Sequence, residues 1–249
     1  LDLNADLGES FGSWTMGDDA AMFPLITSAS VACGLHAGDP VTMLDTCRAA
    51  FELDVRVGAH VGYPDLPGFG LRSIDMTFDD LFGAVLYQLG ALDGVAHAVG
   101  ASVDFVKAHG ALYDRTVHDA EQASAVIAAV QAYDPGLPIL GQQGSALLSF
   151  AAEAGHPVFH EAFADRAYLP DGTLVPRSED GALLQDAREV AERAVRLAMH
   201  GEVEAVDGSL IRLQPHSLCL HGGTPGAVDT ATAVRKALEA AGVELESFA

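Results

Sequence analysis

Four of the ten histidines, His36, His60, His109 and His221, sit at or just after the ends of short apolar runs that read as strands. Asp6, Lys107 and Asp165 occupy the same level. In parallel α/β architectures the loops past the C-terminal ends of the strands meet at one crevice, so these groups share a mouth if the strands are parallel. Two chemistries fit such a set. Neutral imidazoles with a carboxylate could hold a divalent metal that polarises a carbonyl or activates water. Alternatively Asp6, His36, His60, Lys107 and His109 act directly as acid, base and electrostatic stabiliser around a tetrahedral intermediate. Both are hydrolytic or addition chemistries at a carbonyl. A cysteine nucleophile is not expected, because Cys33 ends an apolar run and reads as a small buried residue.

The elements that would position these groups follow a strand-loop-helix rhythm. Leu1–Leu7 alternates polar and apolar side chains, which puts Asp2, Asn4 and Asp6 on one face. The stretch 29–40 (ASVACGLHAGDP) runs from a strand through His36 to a helix capped by Asp39 and opened by Pro40. Val55–His60 is a third strand, followed by GYPDLPGFGLR, a loop long enough to cover a site. Thr77 starts a long helix whose apolar residues recur at helical spacing. Val103–His109 places Lys107 and His109 on the same side of a strand. A lysine inside a core needs a partner, so Lys107 either pairs with a core carboxylate or has a binding or proton-transfer task. GALYD (110–114) reads as a turn, and Asp119 with Gln122 as a capping box. Strands at 137–141 and 157–163 follow. Asp165 and Arg166 are then either an internal ion pair or an anion clamp, and Pro170-Asp171-Gly172 signals a small hairpin. A helix is expected from Ser178 to Met199, with Glu189–Arg193 and Glu192–Arg196 as solvent-face pairs. The last strand, Ser217–Leu220, ends at His221, and Gly222 and Gly223 open a glycine-rich turn able to present backbone N–H groups to an anion.

Composition sets limits on this reading. With 249 residues, 49% hydrophobic, and no break in composition, the chain suits one α/β barrel. Thirteen basic against 35 acidic residues leave a charge of −22, which argues against nucleic acid and anionic membranes as partners. Three cysteines are too few for a disulfide framework, and no apolar run reaches the ~18 residues of a membrane span, so a cytoplasmic location is expected.

Six ordered segments carry a resemblance: DLNADLGESFG at 2–12, ACGLHAGDP at 32–40, GAH with YPD and GFG between 58 and 70, KAHGALYD at 107–114, EAFADRAY with LVPR between 161 and 177, and HGGTPGAV at 221–228. Together they resemble the LamB/YcsF family, which supplies one of the components of bacterial 5-oxoprolinase, its A component. The resemblance implies a single-domain, TIM-like (β/α)7 barrel over 1–249, of the glycoside hydrolase/deacetylase type. It also implies a cytoplasmic enzyme that, with B and C subunits, opens the lactam 5-oxo-L-proline to L-glutamate using ATP. ATP is then the cofactor of the assembly, and a divalent metal is implied by the related deacetylases, which bind one through an aspartate and two histidines; the resemblance makes Asp6, His36 and His60 the corresponding metal ligands. Asp6, His36, His60 and His109 fall on the family's motifs, whereas Asp165, Arg166, His221, Gly222 and Gly223 are the expected substrate- or anion-binding set. Departures from the family pattern occur at Ser30, Leu35, Val61-Gly62, Leu71, Ala108, Asp114 and Gly223, and bear on substrate identity more than on fold. No Walker-type motif is present, so phosphorylation is assigned to the partners. A metal-dependent amidase or deacetylase acting on a sugar-like substrate, and a non-catalytic scaffold, are the alternative functions.

Overall fold

The computed structural model describes residues 1–249. Seven parallel strands close into a barrel in the order β1 (Asp2–Leu7), β2 (Ser28–Ala32), β3 (Arg56–Val61), β4 (Phe105–Ala108), β5 (Ile139–Gln142), β6 (Val158–Phe163) and β9 (Ser217–Leu220), with β9 pairing back onto β1. The outer layer comprises α2 (Pro40–Glu52), α3 (Phe78–Val99), α5 (Ala120–Tyr133), α6 (Ala146–Ala154), α7 (Ala187–His200) and α8 (Ala227–Ala240), with α1 (Asp19–Met22) and α4 (Gly110–Arg115) as short turns of helix. Strands β7 (Glu202–Glu204) and β8 (Leu210–Arg212) form a separate antiparallel hairpin about the Asp207-Gly208 turn. None of the helices is long and apolar enough to cross a membrane.

Alternation along β1 decides what fills the barrel. Leu3, Ala5 and Leu7 join the apolar core, while Asp2, Asn4 and Asp6 contact polar groups from other strands. Barrel interiors are usually packed with branched apolar side chains. Here the axis is polar and stepped. Asp2 accepts from Thr27, Ser28 and Ser217; Asn4 donates to Ser217 (2.7 Å) and Glu161 (2.9 Å); Asp6 accepts from Lys107 (2.9 Å). The opposite end is closed by the carboxy-terminal segment, where the Phe248 ring packs on Phe105 and Phe159 and Ser247 bonds Ser28.

Several local expectations are corrected. GALYD is not a turn but α4, for which His109 occupies the N-cap. Asp119 does cap α5, but Gln122 does not reach back to it; its amide is used by the Tyr63 hydroxyl and the Met76 carbonyl. The helix expected from Ser178 begins only at Ala187, capped by Asp186. Residues before it are held by extended pairing: Leu183 bridges to Arg166, and Leu184 N–H donates to the Asp165 carbonyl. The Glu189–Arg193 pair is not formed, because Arg193 turns to the Arg166 carbonyl at 2.7 Å, and Glu192 pairs with Arg188 instead.

Glycine is required at position 38. Its φ is +79°, and a Cβ there would lie 2.7 Å from the Gly8 carbonyl and 2.9 Å from that of Ala32. This close approach clamps the β1 and β2 loops together and sets His36. Gly38→Ala is expected to cost about 2 kcal/mol or more, from the left-handed backbone and the displaced carbonyls together. A urea titration with an unchanged midpoint would contradict this.

Candidate active site

Two connected spaces open at the C-terminal rim of the barrel. The inner one has room for about one water, at ≈ 20 Å³, and is lined by Asp6, His60, Lys107, His109, Tyr113, Asp114, Phe163, Arg166, Arg177 and His221 among others. The outer one measures ≈ 220 Å³ and includes Glu9, Met16, Phe69, Leu71, Gly222 and Gly223. Asp6, His109, Arg177 and His221 belong to both walls.

Lys107 sits at the centre. It is 2% exposed, and its ammonium lies 2.9 Å from Asp6, 2.8 Å from Glu161, 3.2 Å from the Asn4 amide oxygen and 3.1 Å from Cys219 Sγ. Burial alone would neutralise both partners, but the carboxylates outweigh it and hold Lys107 well above the usual lysine range. Burial likewise pushes the Asp6 carboxyl up, and Lys107 with His60 overrides it, leaving Asp6 well below the carboxylate range. The expected pairing of Lys107 with core carboxylates is formed, and the residue also lines the inner pocket.

The histidines are ordered by one carbonyl. Phe69, in the left-handed region at φ +55°, presents its carbonyl to His109 Nε2 at 2.8 Å. Nε2 of His109 therefore carries the proton, and its Nδ1 lone pair faces His60 Nε2 at 3.1 Å, while His60 Nδ1 lies 3.3 Å from the Lys107 carbonyl. Burial and His60 push the His109 imidazole down to about 3, so it stays neutral. His36 lines neither space. It is fully buried with both ring nitrogens unpartnered, and it stacks on His109 at 3.8 Å with 7° between the planes. It positions His109 from behind. The GYPDLPGFGLR loop does cover these rings, and it is fastened by Tyr63 to Gln122 and by Gly70 to Ala111 N–H.

Across the mouth, Asp165 accepts from both the His221 ring Nδ1 (2.9 Å) and the His221 N–H (3.1 Å). His221 Nε2 then receives the Arg177 guanidinium. The expected Asp165–Arg166 ion pair is not formed, since neighbours on an extended chain point opposite ways: Arg166 turns to the Val175 carbonyl at 2.7 Å. Gly222 is packed too tightly for any side chain, as a Cβ there would be 2.6 Å from the Asp6 carbonyl. Gly223 faces Glu9 and Met16, while Asp114 lies in the inner pocket with Arg166 and Arg177.

Glu9, Glu161 and Arg177 are not singled out by sequence reasoning. Glu9 is 6% exposed, and burial with the nearby Asp6 and Asp19 charges raises its carboxyl well above the usual range. Its signal is faint: one more acidic residue in a loop. Glu161 is readable in principle, because a core lysine demands a carboxylate.

The donor atoms form two sets within 4.8 Å, Glu9–His36–His109 and Asp6–Glu9–His60. The first does not fit one ion: a metal lies in the plane of each imidazole that binds it, at about 2.0–2.1 Å from the nitrogen, whereas the His36 and His109 planes are parallel and never meet at a common point. The second offers two carboxylates and an imidazole, with Asp6 also holding the Lys107 ammonium. The arrangement supports direct acid–base chemistry beside a fixed positive charge.

A model of the LamB/YcsF family matches residues 1–249. Among curated relatives, the 5-oxoprolinase A component of Mycobacterium avium is 55% identical over 248 residues, covering 100% of this chain and 98% of its own. The third such component of Pseudomonas syringae pv. tomato is 53% identical over 249 residues, with 100% and 97% covered. A crystal structure of a lactam utilization protein from Thermus thermophilus superposes with a TM-score of 0.94 at 46% identity, covering 100% of this chain and 99% of that one. A GH113 β-1,4-mannanase, at 11% identity and TM-score 0.53, shares the barrel alone.

Proposed function

The chain belongs to the LamB/YcsF family over its whole length, and from that premise we propose that it opens the ring of 5-oxo-L-proline to L-glutamate as the hydrolytic component of an ATP-driven assembly. The observation that carries this reading is the buried Glu9, its carboxyl raised by burial and by Asp6 and Asp19, facing Asp6 and His109 in a cavity sized for a small ring. Breaking a lactam C–N bond expels an amine, which needs a proton as it leaves. Glu9, whose carboxyl is raised, is the general acid in this scheme. Asp6, kept ionised by Lys107, faces both spaces and orients the water of the inner pocket toward the ring carbon. Lys107 stays paired with Asp6 and Glu161 and fixes the charge of that wall. His36, His60 and His109 hold this wall rigid.

An unactivated lactam is a stable amide, so ATP enters by phosphorylating the amide oxygen. Water then adds to the ring carbon with Asp6 taking its proton, the C–N bond breaks as Glu9 protonates the amine, and a second water frees phosphate from the resulting acyl phosphate. We assign the phosphorylation to partner B and C subunits; the relatives being named as parts of a larger enzyme supports this division. The test is glutamate release from 5-oxoproline and ATP. Turnover is expected only when partners are present, and the chain alone releasing glutamate at full rate overturns the division. Pre-treating this chain with a chelator, desalting, and then adding partners with MgATP is expected to leave the rate unchanged. Loss of activity restored by a transition metal but not by magnesium would reverse the metal-free reading.

A further inference from the structure

An anionic substrate entering a chain of charge −22 must be met by a cation whose charge is not already spent. Three cations reach the two spaces. Lys107 is held between two carboxylates. Arg166 lines only the inner pocket, which has room for one water, and its Nη2 is taken by the Val175 carbonyl. Arg177 differs in both respects. It lines the outer cavity as well as the inner, no carboxylate pairs with it, and its one hydrogen bond is a single Nη to His221 Nε2. A guanidinium has five N–H donors, so a fork remains for a planar anion. Its aim is fixed from behind by the Asp165–His221 pair, and Glu9, Asp6 and His109 share the outer cavity with it.

Resting on the substrate reading above, we propose that Arg177 receives the carboxylate of 5-oxoproline and is the specificity-determining residue of the site. It places the ring carbonyl and nitrogen against Asp6 and Glu9, and it restricts the enzyme to small lactams that carry a carboxylate. Arg166 stays behind it as background charge. The expected anion contacts at Gly222 and Gly223 are secondary in this arrangement.

The experiment compares wild type, Arg177→Gln and Arg177→Lys in the assembled enzyme, with 5-oxoproline and its neutral primary amide as substrates. For 5-oxoproline, Arg177→Gln is expected to raise KM on the order of 100-fold with a smaller change in kcat. Arg177→Lys recovers part of that loss, as a point charge without the fork. For the neutral amide, the Gln variant performs as well as wild type. Circular dichroism and thermal melting of each variant check the fold. Equal KM increases for both substrates assign Arg177 to scaffolding of His221 and overturn the proposal. A wild type that opens the neutral amide as efficiently as 5-oxoproline also overturns it, with the substrate reading intact. A wild-type complex that opens neither removes the substrate reading and the subsite together.

Discussion

Lys107→Met is expected to be the most damaging single substitution in the protein, destabilising it by about 3–5 kcal/mol and lowering turnover by roughly 10³-fold or more. The stability loss arises because Met fills the space but leaves Asp6 and Glu161 buried with no counter-charge. The pH dependence gives the sharper signature. In the wild type the Asp6 carboxyl is depressed, so its contribution is present above the unfolded aspartate value of about 3.9 and is lost as pH falls through the folded value. Lys107 is raised, so its contribution is full below about 10.4 and is lost only as pH rises through the folded value. Both are therefore fully present from about pH 4 to 10. In Lys107→Met the burial of Asp6 is unopposed by its main partner and its carboxyl rises, so the variant loses stability as pH rises through neutrality. Urea unfolding at pH 5 and pH 8 checks this. A variant equally stable at both, or a Lys107→Met/Glu161→Gln double variant no more stable than the single, would show that the triad is not what holds the axis.

That triad also marks where sequence reading runs out. The alternation of β1 puts Asp2, Asn4 and Asp6 on one face, and it is the closure of the barrel that turns this face inward. The strand-end histidines are legible for the same reason, since each closes a short apolar run, and three of the four line the two spaces. His36 is the exception, because a histidine four residues past its strand is placed by loop geometry, here the Gly38 contact, which spacing does not encode. Glu161 is hidden by being one acidic residue in a strand. Arg177 is hidden by lying in an irregular stretch beside residues that imitate a helix. The segment 178–186 reads as helix because Ser178 imitates a cap and Leu183 keeps the spacing of the helix that follows, but tertiary pairing with Arg166 overrides local propensity. What periodicity reports is which face is buried. It does not report which two distant charges meet there.

Glu9 supplies the strongest case of function held against stability. Its carboxyl is raised by burial and by two neighbouring acids, so the folded chain holds this proton to higher pH than an unfolded one. For a carboxyl raised in this way, folded stability falls as pH climbs from the unfolded value near 4.3 toward the folded one, and each unit of that shift is worth about 1.4 kcal/mol. Glu9→Gln removes the ionisation while keeping the shape. The variant is expected to be more stable than wild type by at least about 1 kcal/mol at pH 7.5, with the advantage shrinking toward pH 4.5, and to lose about 10²–10⁴-fold in kcat. The pH–rate profile of the assembled wild type should fall on its alkaline side as Glu9 gives up its proton, a limb the Gln variant lacks. An amide at position 9 that leaves kcat intact would move the proton donor elsewhere in the cavity. One that costs activity without adding stability at pH 7.5 would mean that Glu9 is ionised in the resting enzyme, and the leaving amine would then have to take its proton from His60 or from water.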